Sequence, residues 1–230
     1  MNYFAHSLGY LDRPYFLAGL AVPDWLSVSD RKCRPRRRTI EEQLDGLSGA
    51  DREIALGIRQ HLDDDQWFHG TRVFYEVTGE IGREFRVTLG EEESWPFGFL
   101  GHLVMELLLD AALIEAAPQT LEDYYDIIGE VDPERVQRVV AELSMHPPER
   151  LAEFIELYRK ERFLEDYVDD RRLLRRLNQV MSRVGLPGMP VQVLPVLRES
   201  RKIVRKSLRE LLPPDRRAAT DLLVGTIPKR

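Results

Sequence analysis

The chain has 230 residues, of which 43% are hydrophobic and 31% are charged, a balance typical of a folded globular protein. Its formal net charge of -6 argues against a general nucleic-acid binder. Because the only cysteine is Cys33, an internal disulfide is excluded, and a cytoplasmic location is expected. A transmembrane segment is not expected either, since the most apolar run, Leu103–Ala117, is interrupted by Glu106 and Asp110.

Apolar residues recur at the three- and four-residue intervals of amphipathic helices, which predicts an all-α, multi-helix bundle. Pro14 favours the start of a helix and Pro23 a stop, so that Asp24 is expected where the chain turns. A basic loop is expected over residues 31–38 and a short extended piece over 85–89. In chain order, the predicted helices span about residues 3–12, 14–22, 48–69, 73–85, 97–117, 121–129, 133–144, 148–167, 169–184 and 195–212.

A change in composition near residue 147 is the best candidate for a boundary within the chain. The residues suited to metal binding lie before it, in a predicted domain over residues 1–146. The remainder, residues 147–230, is rich in arginine and glutamate. It is expected to form a helical C-terminal extension that packs on or beside that domain.

Three polar side chains recur at intervals of four in the segment His61-x3-Asp65-x3-His69. On an α-helix this spacing stacks them on one face, and such a face is costly to bury unless something binds it. Imidazole and carboxylate together suit zinc, iron or manganese. The alternative is a solvated acidic face, because Asp63 and Asp64 extend the run of carboxylates. The two aromatic residues that follow argue against that alternative.

The same interval recurs in the segment His102-x3-Glu106-x3-Asp110, within a strongly apolar helix. Glutamate is almost never fully buried without a partner, so Glu106 requires one. A local ion pair between His102 and Glu106 is one explanation, and a shared metal ion is the other. The recurrence of this spacing in two separate helices favours the metal ion.

Two segments of the first half, Tyr15–Trp25 and Ala55–His69, resemble the zinc-dependent phospholipase C superfamily, a group of all-α metal hydrolases. The family pattern is a histidine, then Ala-Gly-x3-Pro-Asp, then His-x3-Asp-x3-His, then His-x3-Glu, around as many as three zinc ions. Here it covers about residues 1–115 and lacks one histidine of the family, so it implies one or two ions. The implied ligands are His6, Asp24, His61, Asp65, His69, His102 and Glu106, with Asp65 as the bridging group.

The opening Met-Asn-aromatic-x-Ala-His also resembles acyl carrier protein phosphodiesterase, a metal enzyme that removes the phosphopantetheine arm. The match is poorer at Leu62 and Gly101, where that family carries arginine and aspartate. This second resemblance implies roles for His6, Asp24, His61, Asp65 and His102.

Together these features predict a hydrolase of a phosphoester that depends on a divalent metal, with zinc expected and manganese or iron as alternatives. Such an ion acidifies a bound water and neutralises charge on the phosphoryl group. Asp64 or Asp110 is expected to act as general base or to orient a histidine, and the sequence does not choose between them. The substrate is a small molecule, a lipid headgroup or an acidic carrier protein, which the loop residues Arg36, Arg37 and Arg38 would attract unless that loop is merely solvated.

Two other classes of function remain open from the sequence. One is a metal-binding protein without catalytic activity. The other is a helical interaction module, whose histidines and aspartates form ordinary ion pairs. The recurrent spacing favours the two metal-binding classes over the interaction module.

Overall fold

A computed structural model describes residues 1–90 and 95–213 of the chain. This part contains helices and no strand, which confirms the predicted all-α bundle. Short 3-10 helices lie at Leu44–Gly46, Phe163–Val168 and Val191–Val193. The α-helices are α1 (Tyr3–Ser7), α2 (Pro14–Ser29), α3 (Arg37–Gln43), α4 (Gly49–His69), α5 (Arg72–Leu89), α6 (Phe97–Ala116), α7 (Pro118–Gly129), α8 (Pro133–Glu142), α9 (Leu151–Glu161), α10 (Asp170–Arg183) and α11 (Leu194–Leu211).

Helix α2 continues through Pro23, so the predicted stop at this residue was wrong. A proline inside a helix removes one backbone hydrogen bond and crowds the preceding turn. Here Trp25 and Leu26, two and three residues after the proline, are fully buried, and their burial offsets that cost. Asp24 therefore lies inside a helix and not at a turn.

Helix α5 also runs further than expected, because residues 85–89 are helical and the predicted extended piece was wrong. Val77, Ile81 and Phe85 recur at intervals of four and are all buried on one face. That periodicity carries the helix past the locally β-branched sequence to Gly90, whose φ of 79° ends it. The basic loop is shorter than predicted, since α3 already begins at Arg37.

The contact between α2 and α4 depends on two glycines that let the backbones approach closely. A Cβ atom on Gly57 would lie 2.2 Å from the carbonyl oxygen of Phe16, and one on Gly19 would lie 2.3 Å from that of Ile54. Both distances are far inside van der Waals contact. This close crossing brings His61 of α4 against α2, the helix that carries Asp24.

Helix α6 lies at the centre of the bundle and packs along α5 through a second close contact. A Cβ atom on Gly101 would lie 2.2 Å from the carbonyl oxygen of Thr78. By length and composition α6 could cross a membrane, with a mean hydropathy of 1.8, and 67% of that stretch is buried inside the protein. A core helix and a membrane span share these properties.

The helices after residue 147 contact the helices before it. Helix α11 packs across α5 and α6, α9 packs on α2 and α8, and the 3-10 helix at Phe163–Val168 packs on α6. Leu151, Leu173 and Leu197 join the same hydrophobic cluster as the first-half core. Residues 214–230, the end of the predicted extension, lie outside the described residues.

We expect Gly57→Ala to lower the free energy of unfolding by about 1–3 kcal/mol, because the added methyl group overlaps the backbone of α2. Gly79→Ala is the matched control: this glycine lies in exposed α5 with nothing within 4 Å of its Cβ position. Its replacement should raise the unfolding free energy by about 0.5–1 kcal/mol. Urea denaturation of the two variants measures both values, and equal effects would contradict the close crossing.

Candidate metal centre

Four helices bring the predicted ligands together. His61, Asp65 and His69 lie along one face of α4, as their spacing predicts. Helix α6 presents His102 and Glu106 towards the same region. The remaining two come from the first helices of the chain, His6 from α1 and Asp24 from α2.

The first candidate metal-binding group consists of His6, His61 and Asp65. The Nε2 atom of His6 lies 3.3 Å from Oδ1 of Asp65, and that of His61 lies 3.4 Å from Oδ2. The two imidazole rings are buried and stacked, with centroids 4.0 Å apart. Two nitrogen atoms and a carboxylate thus converge on one small volume.

The hydrogen bonds of these histidines determine which nitrogen faces that volume. Nδ1 of His61 lies 2.8 Å from the carbonyl oxygen of Leu20, which only accepts, so Nδ1 carries the proton. Nδ1 of His6 faces Asp64 at 3.4 Å, and Gln60 holds that carboxylate through a hydrogen bond of 2.8 Å. In both rings the Nε2 lone pair is left towards Asp65, as in a metal-binding histidine oriented by a second partner.

The second candidate group consists of His69, His102 and Glu106. The Nε2 atoms of both histidines lie 3.0 Å from the same oxygen, Oε1 of Glu106. Phe74 packs edge-on against both imidazoles, with centroid distances of 4.9 Å. This ring fixes the two histidines around one carboxylate oxygen.

The α-amino group of Met1 lies between the two groups, a contact that the sequence analysis missed. Its nitrogen is 2.7 Å from Oδ1 of Asp65 and 2.9 Å from Oε1 of Glu106. Burial alone would lower the pKa of this amine, but the two carboxylates outweigh it and raise the pKa to about 10. The spacing of histidines and carboxylates carries no information about where the first residue lies, so the expected ligand set did not include this amine.

The two carboxylates of these groups remain ionised despite their burial. Burial acts to raise the pKa of Asp65, but the nearby His6 and His61 and the charge of the Met1 amine hold it far below the usual range. The pKa of Glu106 is likewise held low against burial, by the charge of the Met1 amine and by its two histidines. The centre therefore concentrates negative charge inside the protein.

Asp24 adds a third carboxylate to the centre. Burial raises its pKa to about 7, the nearby His61 opposes the shift, and Asp65 adds to it. Its Oδ2 atom is buried and has no hydrogen-bond partner among the described residues, and the same is true of Nε2 of His6. Buried polar atoms without partners are rare in proteins and often mark the place of a bound ion or water.

Asp110 lies apart from the cluster and holds the backbone of α1. Its two carboxylate oxygens accept hydrogen bonds from the N–H groups of Phe4, at 3.0 Å, and Ala5, at 2.8 Å. Burial raises the pKa of Asp110 to about 7, and the two N–H donors act against that shift. Within the described residues Asp110 forms no hydrogen bond with a histidine, whereas Asp64 faces Nδ1 of His6.

The loop arginines predicted to bind substrate are engaged elsewhere or exposed. Arg37 forms an ion pair with Asp63, and Arg38 forms one with Glu42 at 2.7 Å on the surface. Arg36 is exposed. None of the three lines the cavity beside the metal-binding groups.

A cavity of about 1100 Å³ opens beside the candidate metal centre. Asp24 and Glu106 form part of its wall, and residues of α9 and α10, from the second half of the chain, form another part. The α10 residues that line it, among them Arg171, Arg175 and Arg183, were not predicted as site residues. Arginines on an amphipathic helix are common on solvated faces, so the sequence carries no signal that these line a cavity.

Comparisons of the chain with protein-family models, with curated proteins and with solved structures found no match in any of the three. The resemblances described from the sequence therefore remain predictions. What the protein does must be argued from the geometry of the candidate metal centre and its cavity.

We expect metal-free protein to become more stable as the pH falls from about 7.5 to 5. The pKa values of Asp24 and Asp110 rise to about 7 on folding from 3.8, so each stabilises the fold at low pH and loses that effect as the pH rises through 7. Below about pH 4 the trend should reverse, because Asp65 and Glu106 have lowered pKa values.

Urea denaturation in the presence of a chelator, at a series of pH values, measures this profile. Asp24→Asn should flatten its upper part, because the asparagine does not titrate. A stability that rises steadily from pH 5 to 7.5 would contradict the raised pKa values.

We expect Asp110→Asn to lower the free energy of unfolding by about 1–3 kcal/mol, because an amide can accept only one of the two N–H bonds. Asp126→Asn on exposed α7 removes the same charge and is the control. Thermal or urea denaturation compares them, and an equal change in both would show that charge alone matters.

Proposed function

We propose that this protein is a metal-dependent hydrolase of phosphoesters. The observation that carries the proposal is the pair of buried polar atoms without partners, Nε2 of His6 and Oδ2 of Asp24, beside the carboxylates of Asp65 and Glu106. The single positive charge of the Met1 amine does not balance the three carboxylates of this region, and a divalent cation would balance them.

The donor set suits zinc, with manganese or iron as alternatives. In tetrahedral zinc sites with ligand bonds of about 2.0–2.1 Å, neighbouring ligand atoms are roughly 3.3 Å apart. The separations from Asp65 to His6 and His61 are 3.3 and 3.4 Å. The second group, with separations of 3.0 Å, suits an ion of the same kind.

Two features favour a phosphoester as the substrate. The two candidate groups are neighbours, because one amino group contacts a carboxylate of each, and paired metal ions suit phosphoryl transfer. The cavity beside them carries arginines on its α10 wall, which favour an anionic substrate. When bound, the ions polarise a phosphoryl oxygen and acidify a water molecule.

The protein's own residues have distinct parts in this proposal. Leu20 and Asp64 hold His61 and His6 with Nε2 directed to the centre. Asp24 lines the cavity, and its Oδ2 atom, which has no partner among the described residues, suits it to bind an ion there. Asp110 acts at a distance, by fixing the backbone that carries His6.

Elemental analysis of untagged protein, purified without chelator, tests the proposal. We expect about two equivalents of divalent metal in the wild type and about one in His61→Gln and in His102→Gln, since each removes a ligand of one group. The control is His146→Gln, which changes an exposed histidine outside both groups and should leave the metal content unchanged.

Hydrolysis of bis(4-nitrophenyl) phosphate and 4-nitrophenyl phosphate is measured on the same samples. Chelation should abolish the activity, added zinc should restore it, and His61→Gln should lower kcat/KM by about 100-fold or more. Wild type without metal and without uptake on titration would refute the proposal. Bound metal without hydrolysis of either ester would leave a non-catalytic metal protein.

A further inference from the structure

The cavity beside the candidate metal centre has two chemically different walls. One wall includes the apolar side chains of Leu103 and Leu107 from α6 and of Phe154 and Leu157 from α9, with Glu106 and Glu161 on the same helices. The other is a face of α10, on which residues recur at intervals of three and four. Its members are Arg171, Arg175, Asn178, Gln179, Ser182 and Arg183.

The arginines of α10 differ in their partners. Arg175 and Arg176 both bind the carboxylate of Asp166, at 2.9 and 2.6 Å. Arg171 and Arg183 form no ion pair among the described residues, although the charge of Arg171 acts on Asp169. Arg183 is therefore the arginine of this wall beside which no carboxylate is described.

Arg183 faces a second arginine from another part of the chain. Its charge is close enough to that of Arg31, in the loop after α2, for the two to repel. Arg31 donates a hydrogen bond to the carbonyl oxygen of Ser27, a cavity residue, at 3.3 Å. The other titratable groups near Arg183 are the phenols of Tyr3 and Tyr167, and neither brings a negative charge.

Burial and the charge of Arg31 lower the pKa of Arg183, which means that its charged form is destabilised at this position. Guanidinium groups form strong, often bidentate hydrogen bonds with carboxylates, phosphates and sulfonates. An anion between Arg183 and Arg31 would relieve their repulsion. Tyr3 lies close enough to both Asp24 and Arg183 for their charges to affect its pKa, so this region adjoins the metal centre.

We propose that Arg183, in the cavity wall, and Arg31, at the rim beside Ser27, form a second anion-binding site, separate from the metal-binding groups. Its ligand carries an anionic group at the two arginines and an apolar body along the wall of Leu103, Leu107 and Phe154. If the proposed function holds, the substrate is a phosphoester whose apolar part bears a second negative charge. The specificity of the site then depends on the part of the chain after residue 147.

Two fluorescent probes test this site in metal-free protein. The first, 8-anilinonaphthalene-1-sulfonate, has an apolar body and one sulfonate, and the second, N-phenyl-1-naphthylamine, has the same body without the charge. We expect Arg183→Gln and Arg31→Gln each to raise the Kd of the sulfonate about tenfold, since each removes a charge-assisted hydrogen bond. The Kd of the uncharged probe should not change.

Arg172→Gln is the control variant, because it removes the same charge from the same helix at an exposed position outside the cavity wall. It should leave both Kd values unchanged. The proposal is overturned if the sulfonate binds both cavity variants as it binds wild type, if the uncharged probe weakens equally, or if Arg172→Gln has the same effect.

The same titration separates this site from the proposed function. His102→Gln, which removes a candidate metal ligand, should bind the sulfonate like wild type, because the probes are measured without metal. Charge-selective binding through Arg183 in a protein that takes up no metal would support the anion site and refute the hydrolase. Metal-dependent hydrolysis with no effect of Arg183→Gln on the Kd of the sulfonate would support the hydrolase and refute the anion site.

Discussion

The partial burial of Asp65 on α4 and of Glu106 on α6 is the constraint on which the rest of the structure depends. Buried carboxylates are costly unless cations and donors surround them, so the neighbouring elements must supply these groups. Histidines come from α1, α4 and α6, and the α-amino group of Met1 contacts both carboxylates. The arrangement of α1, α2, α4 and α6 is in this sense an arrangement around two negative charges.

Helix packing determines how closely these groups meet. The crossing of α2 on α4 has no room for a side chain at Gly57, and the crossing of α6 on α5 has none at Gly101. Because these are contacts between backbones, they fix the spacing of the helices independently of the side-chain rotamers. A site that must hold ligand atoms within a few tenths of an ångström benefits from such rigid supports.

The sequence predicted the helices and most of the clustered side chains, because intervals of four leave a direct mark on an α-helix. His61 and His102 were found in this way. It failed where tertiary packing overrides local preference, as in the continuation of α2 through Pro23, and where the group has no residue pattern, as with the amine of Met1. The arginines of α10 were missed because only the fold shows that their face lines a cavity.

Helix α1 has only five residues, too few to be stable alone, and Asp110 holds it through two backbone hydrogen bonds. Short terminal elements open more readily than the core, often without global unfolding. Because α1 carries His6 and follows Met1, its opening would dismantle one side of the centre while α4 and α6 stay packed. We expect the rate at which a bound ion exchanges with solvent to follow the detachment of these first seven residues, observable as amide exchange at Phe4 and Ala5.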